Sequence, residues 1–157
     1  MAPYLSVMKN CGYETTGACR FEVGYLKDKK NNTRTLMGTN YYKLILQDGT
    51  VFILNTSANT VTKNNITIPR SWTSIFIDIN GQKGPNVFGK DLFYYIYRIQ
   101  EDRTPIGGEN NSGKMIPSGA NMSREEMLSD CANNGSGCDC TALIMNDGWQ
   151  IKDDYPW

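Results

Sequence analysis

Short runs of β-branched and aromatic residues, separated by turn residues, dominate the first two thirds of the chain. Such runs favour β-strands, because branched and aromatic side chains pack well on a pleated sheet. No helical pattern lies between them, so neighbouring strands are expected to pair as an antiparallel meander. The predicted strands cover residues 21–26, 40–47, 50–55, 74–79 and 92–100.

Helical signals are confined to the two ends of the chain. Residues 4–10 resemble the tail of a helix that Gly12 would cap. Ser123 and Glu126 have the spacing of a capping box, which predicts a short helix at this point. Residues 140–151 predict a second short helix or turn.

Length and element order together predict a single α+β domain that spans residues 1–157. We expect the remnant of an N-terminal helix packed on an antiparallel sheet of four or five strands, followed by a disulfide-pinned C-terminal region. Asp48-Gly49 lies between two of the predicted strands and suits a type I′ hairpin turn.

Charge and hydropathy exclude several classes of partner. Lys plus Arg and Asp plus Glu number 16 each, so no net field attracts nucleic acid or an anionic membrane. The sequence contains no apolar run of about 18 residues, so no membrane span is predicted in it. Its first residues lack the basic and apolar regions of a signal peptide.

The chain contains no histidine, which removes the commonest general base and the commonest transition-metal ligand. No spacing singles out a pair of carboxylates, and the sequence has no phosphate-binding loop motif. We therefore expect that the protein is not an enzyme and that it has no catalytic residues.

The cysteines form two tight clusters, and their spacing fits zinc ligation poorly. Local disulfides in an oxidising compartment fit better. Cys11 is expected to pair with Cys19. Cys131 is expected to pair with Cys140 or with Cys138, which leaves one thiol over.

A loop rich in Asp, Asn, Gly and Pro follows the predicted strand at 74–79. Asp78, Asn80 and Asp91 offer oxygen ligands of the kind that calcium prefers. The pattern departs from an EF-hand, because Gly89 stands where the bidentate glutamate belongs.

Lys83 and Lys90 also place positive charge in this loop. The interpretation we favour is a structural turn in which the Asp and Asn side chains accept backbone hydrogen bonds. No metal and no cofactor are then expected, calcium being the one weak candidate, and added millimolar calcium should leave the melting temperature nearly unchanged.

Aromatic residues are the remaining candidates for binding. Phe93, Tyr94, Tyr95 and Tyr97 could stack on sugars, but we favour a structural role in which they fill a core on one face of the sheet and shield the other face. The terminal residues 155–157 include a tryptophan, which suggests a tail docked into a groove of the domain.

Two segments resemble a known family. "FIDINGQKGPNVFGKDLFYYIY" followed by "CTALIMNDGWQIKDDYPW" resembles the globular domains of bacterial type IV pilin-like proteins and type II secretion pseudopilins. The resemblance covers about residues 40–157. Its matched positions are Asp78, Asn80, Gly81, Lys83, Gly84, Pro85, Asn86, Gly89, Asp91, Phe93, Cys140, Gly148, Trp149 and 154–157. The prepilin cleavage site and the apolar anchor helix of that family are absent from the sequence.

The resemblance implies a structural subunit of a type IV pilus or a type II secretion pseudopilus, at the cell surface or in the periplasm. Its partners would be other pilin or pseudopilin subunits, with the full-length form anchored in the membrane by an N-terminal helix. It also implies that Cys131 pairs with Cys140 and that Cys138 is the spare thiol. Without the anchor, the domain is expected to be a monomer.

The alternative is a secreted binding module or adhesin that recognises sugar or a host protein through its aromatic residues. The gene sequence upstream of residue 1 distinguishes the two hypotheses. A prepilin-type anchor there would favour the fibre subunit, and a cleavable signal peptide would favour the secreted module.

Overall fold

The computed structural model describes residues 6–14, 16–19, 26–30, 32–34, 41–63, 66–98 and 113–156. Six strands form one antiparallel sheet in the order β1-β4-β5-β6-β7-β8, and β2 and β3 pair separately. The strands are β1 (Val7–Gly12), β2 (Leu26–Lys27), β3 (Thr33–Arg34), β4 (Tyr42–Leu46), β5 (Val51–Lys63), β6 (Ile66–Asp78), β7 (Leu92–Arg98) and β8 (Met115–Pro117).

The predicted fold of an N-terminal helix on a sheet of four or five strands is wrong. Residues 7–12 form β1, an edge strand of the six-stranded sheet that pairs with β4 through two register shifts. A segment this short cannot form a stable helix by itself, so its pairing with β4 decides its structure. Gly12 does have the positive φ expected of a cap, at 51°, but it ends a strand.

The predicted hairpin around Asp48-Gly49 is present, but its turn is not type I′. The Leu46 amide bonds to the Thr50 carbonyl and the Gly49 amide bonds to the Leu46 carbonyl, which leaves a three-residue loop. Gly49 has a φ of 91° whereas Asp48 does not have a positive φ. This is a type I turn followed by a bulge at glycine, the usual three-residue alternative.

Two short helices, α1 (Arg124–Cys131) and α2 (Cys140–Asn146), follow the sheet. The predicted capping box is confirmed, because the Ser123 side chain accepts from the Glu126 amide and the Glu126 side chain accepts from the Ser123 amide. The strand predicted at 21–26 lies outside the described residues except for its last position, which is in β2.

The described sheet residues of the principal core all lie on one face of the sheet. Its strand members are Ile45, Val51, Ile53, Phe76 and Leu92, which the pairing registers place on the same face. The half-buried Tyr94 packs on this core, as expected for one of the aromatic residues of β7.

Disulfide-bonded loops cover this core face. The structure contains the Cys11–Cys19 bridge that the sequence analysis expects, and both cysteines belong to the principal core. Lys43 is buried beneath this loop, and its Nζ donates to the backbone carbonyls of Glu14 and Cys19. Burial lowers the pKa of Lys43 from its usual value.

Candidate functional site

The loop between β6 and β7 holds the three residues predicted as a structural turn or weak calcium site. Asp78 ends β6 and is fully buried, and Asp91 precedes β7 and is 4% exposed. A short 3-10 helix, Gly81–Lys83, begins the loop. The structure therefore brings Asp78, Asn80 and Asp91 together, as the sequence predicts.

The carboxylate of Asp91 organises the loop. Its Oδ2 accepts from the Asn80 side-chain amide at 3.1 Å and from the Asn86 backbone amide at 2.9 Å. Its Oδ1 accepts from the Val87 amide at 2.7 Å. Asp78 Oδ1 accepts from the Asn80 backbone amide at 3.1 Å. These bonds are of the structural-turn kind, in which carboxylates replace missing backbone partners.

Among the residues that the structure describes, two buried amide oxygens of this loop have no hydrogen-bond partner: Asn80 Oδ1 and Asn86 Oδ1. Asn86 is 8% exposed and adopts a left-handed φ of 54°. Buried polar atoms without a partner are rare in folded proteins, since each forfeits its interaction with water.

The C-terminal segment docks against the far side of the same loop. Tyr155 is buried, and its hydroxyl donates to the Gly89 carbonyl at 2.7 Å. Lys29 Nζ donates to the Pro156 carbonyl, and burial lowers the pKa of Lys29. The expected docking of the chain end is therefore present as far as residue 156, while Trp157 lies outside the described residues.

The face of the sheet opposite the core is apolar as well. By the pairing registers, the residues in two adjacent cross-strand rows of this face are Leu44, Phe52, Ile77 and Phe93, and then Tyr42, Leu54, Ile75 and Tyr95. All of them are half-buried, and none belongs to either buried core cluster. We call these residues the second face.

A network of charges holds the segment after α2. The guanidinium of Arg124 bonds to both carboxylate oxygens of Asp147 and to both of Asp154, at 2.8–2.9 Å. Lys152 also contacts Asp147, at 2.9 Å. Trp149 lies in this segment with a left-handed φ of 63° and is 60% exposed. An exposed tryptophan is characteristic of interaction surfaces.

The C-terminal cysteines have the pairing that the resemblance implies. Cys131 bonds to Cys140, which joins α1 to α2 beneath Gly89, and the half-buried Cys138 belongs to neither disulfide. Among the described residues, no group of three or more Cys, Asp or Glu side chains could hold a metal ion. The described part of the chain also has no helix long and apolar enough to cross a membrane.

Sequence reasoning missed the second face and the role of Asn86. The signal for the face is the absence of alternation: runs such as "LIL", "VFIL", "IFI" and "LFYYIY" are apolar at consecutive positions. A sheet with one solvated face would alternate apolar and polar residues along each strand. Asn86 enters the sequence analysis only as a matched position of the family resemblance, and its burial could not be predicted from the sequence.

Comparison with known proteins adds one family assignment. No curated protein and no solved structure matches the chain. The model of a family of unknown function (DUF6613) matches residues 23–157, which include the β6–β7 loop, the second face and the C-terminal region. The chain therefore belongs to this family of unknown function, DUF6613.

Proposed function

We propose that the chain is the globular domain of a structural subunit of a type IV pilus or type II secretion pseudopilus. The observation that carries this proposal is the second face, an apolar surface of the sheet whose residues belong to neither buried core cluster. A sheet that is apolar on both faces is normally covered on both. The subunit would turn this face toward the apolar helices of the fibre core.

The size of the second face favours a helix over a second copy of the sheet. Its rows cross four strands at a spacing of about 4.8 Å, and successive rows lie about 7 Å apart. The projected area of this patch is on the order of 300 Å². Its width suits an α-helix, which is about 10 Å across. A stable dimer needs about 800 Å² from each partner.

Both disulfides support the location that this function requires. Cys11–Cys19 and Cys131–Cys140 link residues that are close in sequence and buried in the structure. Such bridges persist in oxidising compartments, which include the periplasm and the cell surface. The proposed location is therefore the cell surface or periplasm.

The test is a charge placed on the second face of the full-length protein in the organism that encodes it. Ile75→Glu is the test variant, and Ile151→Glu is the matched control, because Ile151 is 50% exposed on the C-terminal segment. We expect Ile75→Glu to be produced and to retain both disulfides but to be absent from sheared fibres. Ile151→Glu should be incorporated normally.

Incorporation of Ile75→Glu into fibres at the wild-type level would reject the proposed contact. Recovery of the wild-type protein as a free, signal-cleaved molecule in the medium would reject the fibre subunit altogether. Circular dichroism of both purified variants shows whether a loss of assembly reflects a loss of folding.

A secreted binding module is the second candidate function, and Trp149 is the observation that favours it. The Arg124 network fixes the segment from which this exposed side chain projects. Binding of the purified chain to an immobilised glycan panel, reduced at least tenfold by Trp149→Ala and unaffected by Tyr13→Ala, would support this alternative. Tyr13 is 61% exposed and lies in a different part of the fold.

A further inference from the structure

We propose that the Cys11–Cys19 bridge and the buried side chain of Lys43 form a redox switch that controls how the N-terminal loop, residues 11–19, closes over the principal core. With the bridge formed, the loop is closed on the core. With the two cysteines reduced, the loop opens. The proposal is independent of the fibre function, because it concerns a single chain.

Lys43 lies beneath the N-terminal loop, on the core face of the sheet. Its cross-strand neighbours are Gly12 of β1 and Ile53 of β5, and Ile53 belongs to the principal core. Lys43 is 3% exposed, and its Nζ donates to the backbone carbonyl of Glu14 and, at 3.2 Å, to that of Cys19. The loop therefore supplies hydrogen-bond acceptors to a buried ammonium group.

The bridge holds these acceptors in place. Cys11 belongs to β1 and Cys19 ends a short 3-10 helix, and both side chains are buried in the principal core. The backbone hydrogen bonds described within the loop are local: the Glu14 amide bonds to the Cys11 carbonyl and the Cys19 amide to the Thr16 carbonyl. Local bonds of this kind shape a turn, whereas the bridge joins the end of the loop to the sheet.

A lysine at this position makes closure of the loop depend on the bridge. Burying an ammonium group is costly unless acceptors are held around it, and burial does lower the pKa of Lys43. Without the bridge, an open loop lets water solvate Lys43 Nζ, while a closed loop must desolvate it again. An apolar side chain in the same place would instead favour closure in both redox states.

Thiol–disulfide exchange sets the switch. The oxidant is a disulfide, either oxidised glutathione or a protein disulfide, and it accepts two electrons and two protons from the Cys11 and Cys19 thiols. One S–S bond forms in the chain and one breaks in the oxidant. Oxidants of this class act in the periplasm and outside the cell, whereas the cytosol keeps thiols reduced. The closed core is thus expected to form after the chain reaches an oxidising compartment.

A double-mutant cycle tests the coupling between the bridge and the lysine. The chains are the wild type, Cys11→Ala/Cys19→Ala, Lys43→Met and the variant with all three changes, and urea denaturation gives the unfolding equilibrium constant of each. Loss of the bridge should raise this constant about tenfold more in the chain with Lys43 than in the Lys43→Met background. Alanine substitution, unlike a reductant, leaves the Cys131–Cys140 bridge intact.

Two matched controls separate this coupling from general effects. Lys9 is an exposed lysine of β1, so the effects of Lys9→Met and of losing the Cys11–Cys19 bridge should add. Cys131→Ala/Cys140→Ala removes the other bridge, and its cost should be the same with and without Lys43→Met.

Amide hydrogen exchange locates the opening. In Cys11→Ala/Cys19→Ala, the amides of Glu14 and of residue 19 should exchange about tenfold or more faster than in the wild type, relative to the Ile53 amide in the middle of the sheet. Adding Lys43→Met should reverse most of this difference. Equal acceleration in both backgrounds would contradict the switch.

An equal cost of bridge loss with and without Lys43→Met would overturn the proposal and leave the bridge as a crosslink that acts without the lysine. If the Cys11→Ala/Cys19→Ala chain does not fold, the variant with all three changes decides. Recovery of folding in that variant supports the switch, and a variant that is equally unfolded overturns it.

Discussion

The hydroxyl of Tyr155 donates a hydrogen bond to the backbone carbonyl of Gly89 across 66 positions of sequence, at 2.7 Å. The Cys131–Cys140 bridge packs against the same glycine, because a Cβ built there would lie 2.2 Å from Cys140 Sγ. Three parts of the chain therefore meet at Gly89: the β6–β7 loop, the start of α2 and the C-terminal segment. This junction couples the candidate site to the end of the domain.

Replacing Tyr155 with phenylalanine should destabilise the fold by about 1–2 kcal/mol, because the buried Gly89 carbonyl loses its side-chain donor while the ring packing is kept. Urea denaturation of the variant and of the wild type measures the difference. Tyr13→Phe is the control, since Tyr13 is exposed. Equal midpoints for Tyr155→Phe and the wild type would show that water replaces the hydroxyl without cost.

Alkaline pH should weaken the fold through the same residue. Burial raises the pKa of Tyr155 to about 12, above the value of about 10 for an unfolded tyrosine. The contribution of the neutral Tyr155 side chain to the free energy of unfolding is thus complete below about pH 10. It is lost as the pH rises from about 10 to about 12. The free energy of unfolding, measured in urea with Cys138 blocked, should fall across this range and fall less steeply in Tyr155→Phe. Parallel curves would contradict the prediction.

Alanine substitutions at two glycines of the loop distinguish the cost of backbone strain from the cost of a steric clash. Gly84 and Gly89 both have positive φ, 63° and 78°, but a Cβ on Gly84 meets nothing within 4 Å. Gly84→Ala should therefore cost about 1–3 kcal/mol from backbone strain alone, because φ 63° with ψ 163° is a region that essentially only glycine adopts. Gly89→Ala should cost clearly more, because the disulfide cannot move aside. Thermal melting compares the two, and similar losses would mean that the junction adapts.

The sequence predicts the elements that depend on local chemistry. Ser123 and Glu126 specify the start of α1, and the runs around Asp48-Gly49 specify a hairpin. Prediction from the sequence fails where the structure of a segment depends on a partner that is distant in the sequence. Residues 7–12 form β1 because β4 pairs with them. In the candidate site, Asp78, Asn80 and Asp91 are predictable from their motif. The contribution of Asn86 is not, because its burial depends on the packing of the whole loop.

The Cys138 thiol, which forms no disulfide, should not exchange with the neighbouring bridge in the native protein. Peptide mapping without reductant is expected to give Cys11–Cys19 and Cys131–Cys140, as in the structure. Cys138→Ala should keep both bridges and change the stability by less than about 1 kcal/mol, because the side chain is half-buried and the change is small. A bridge that contains Cys138, or one between the two clusters, would contradict this pairing.

Acid should loosen the C-terminal segment through Asp147. The Arg124 guanidinium, and then Lys152, hold the pKa of the Asp147 carboxyl well below its usual range. The folded-state pKa lies under the unfolded value of about 3.9, so this contribution is present above about pH 4 and is lost as the pH falls below it. The melting temperature of the wild type should therefore drop between pH 5 and pH 2.5 more steeply than that of Asp147→Asn.

Asp153→Asn, an exposed neighbour on the same segment, should follow the wild-type curve. If Asp147→Asn also follows the wild-type curve, the Arg124 network contributes nothing measurable to folding. The position of Trp149 would then be set by the backbone at the end of α2, where the Trp149 amide donates to the Ile144 carbonyl at 2.8 Å.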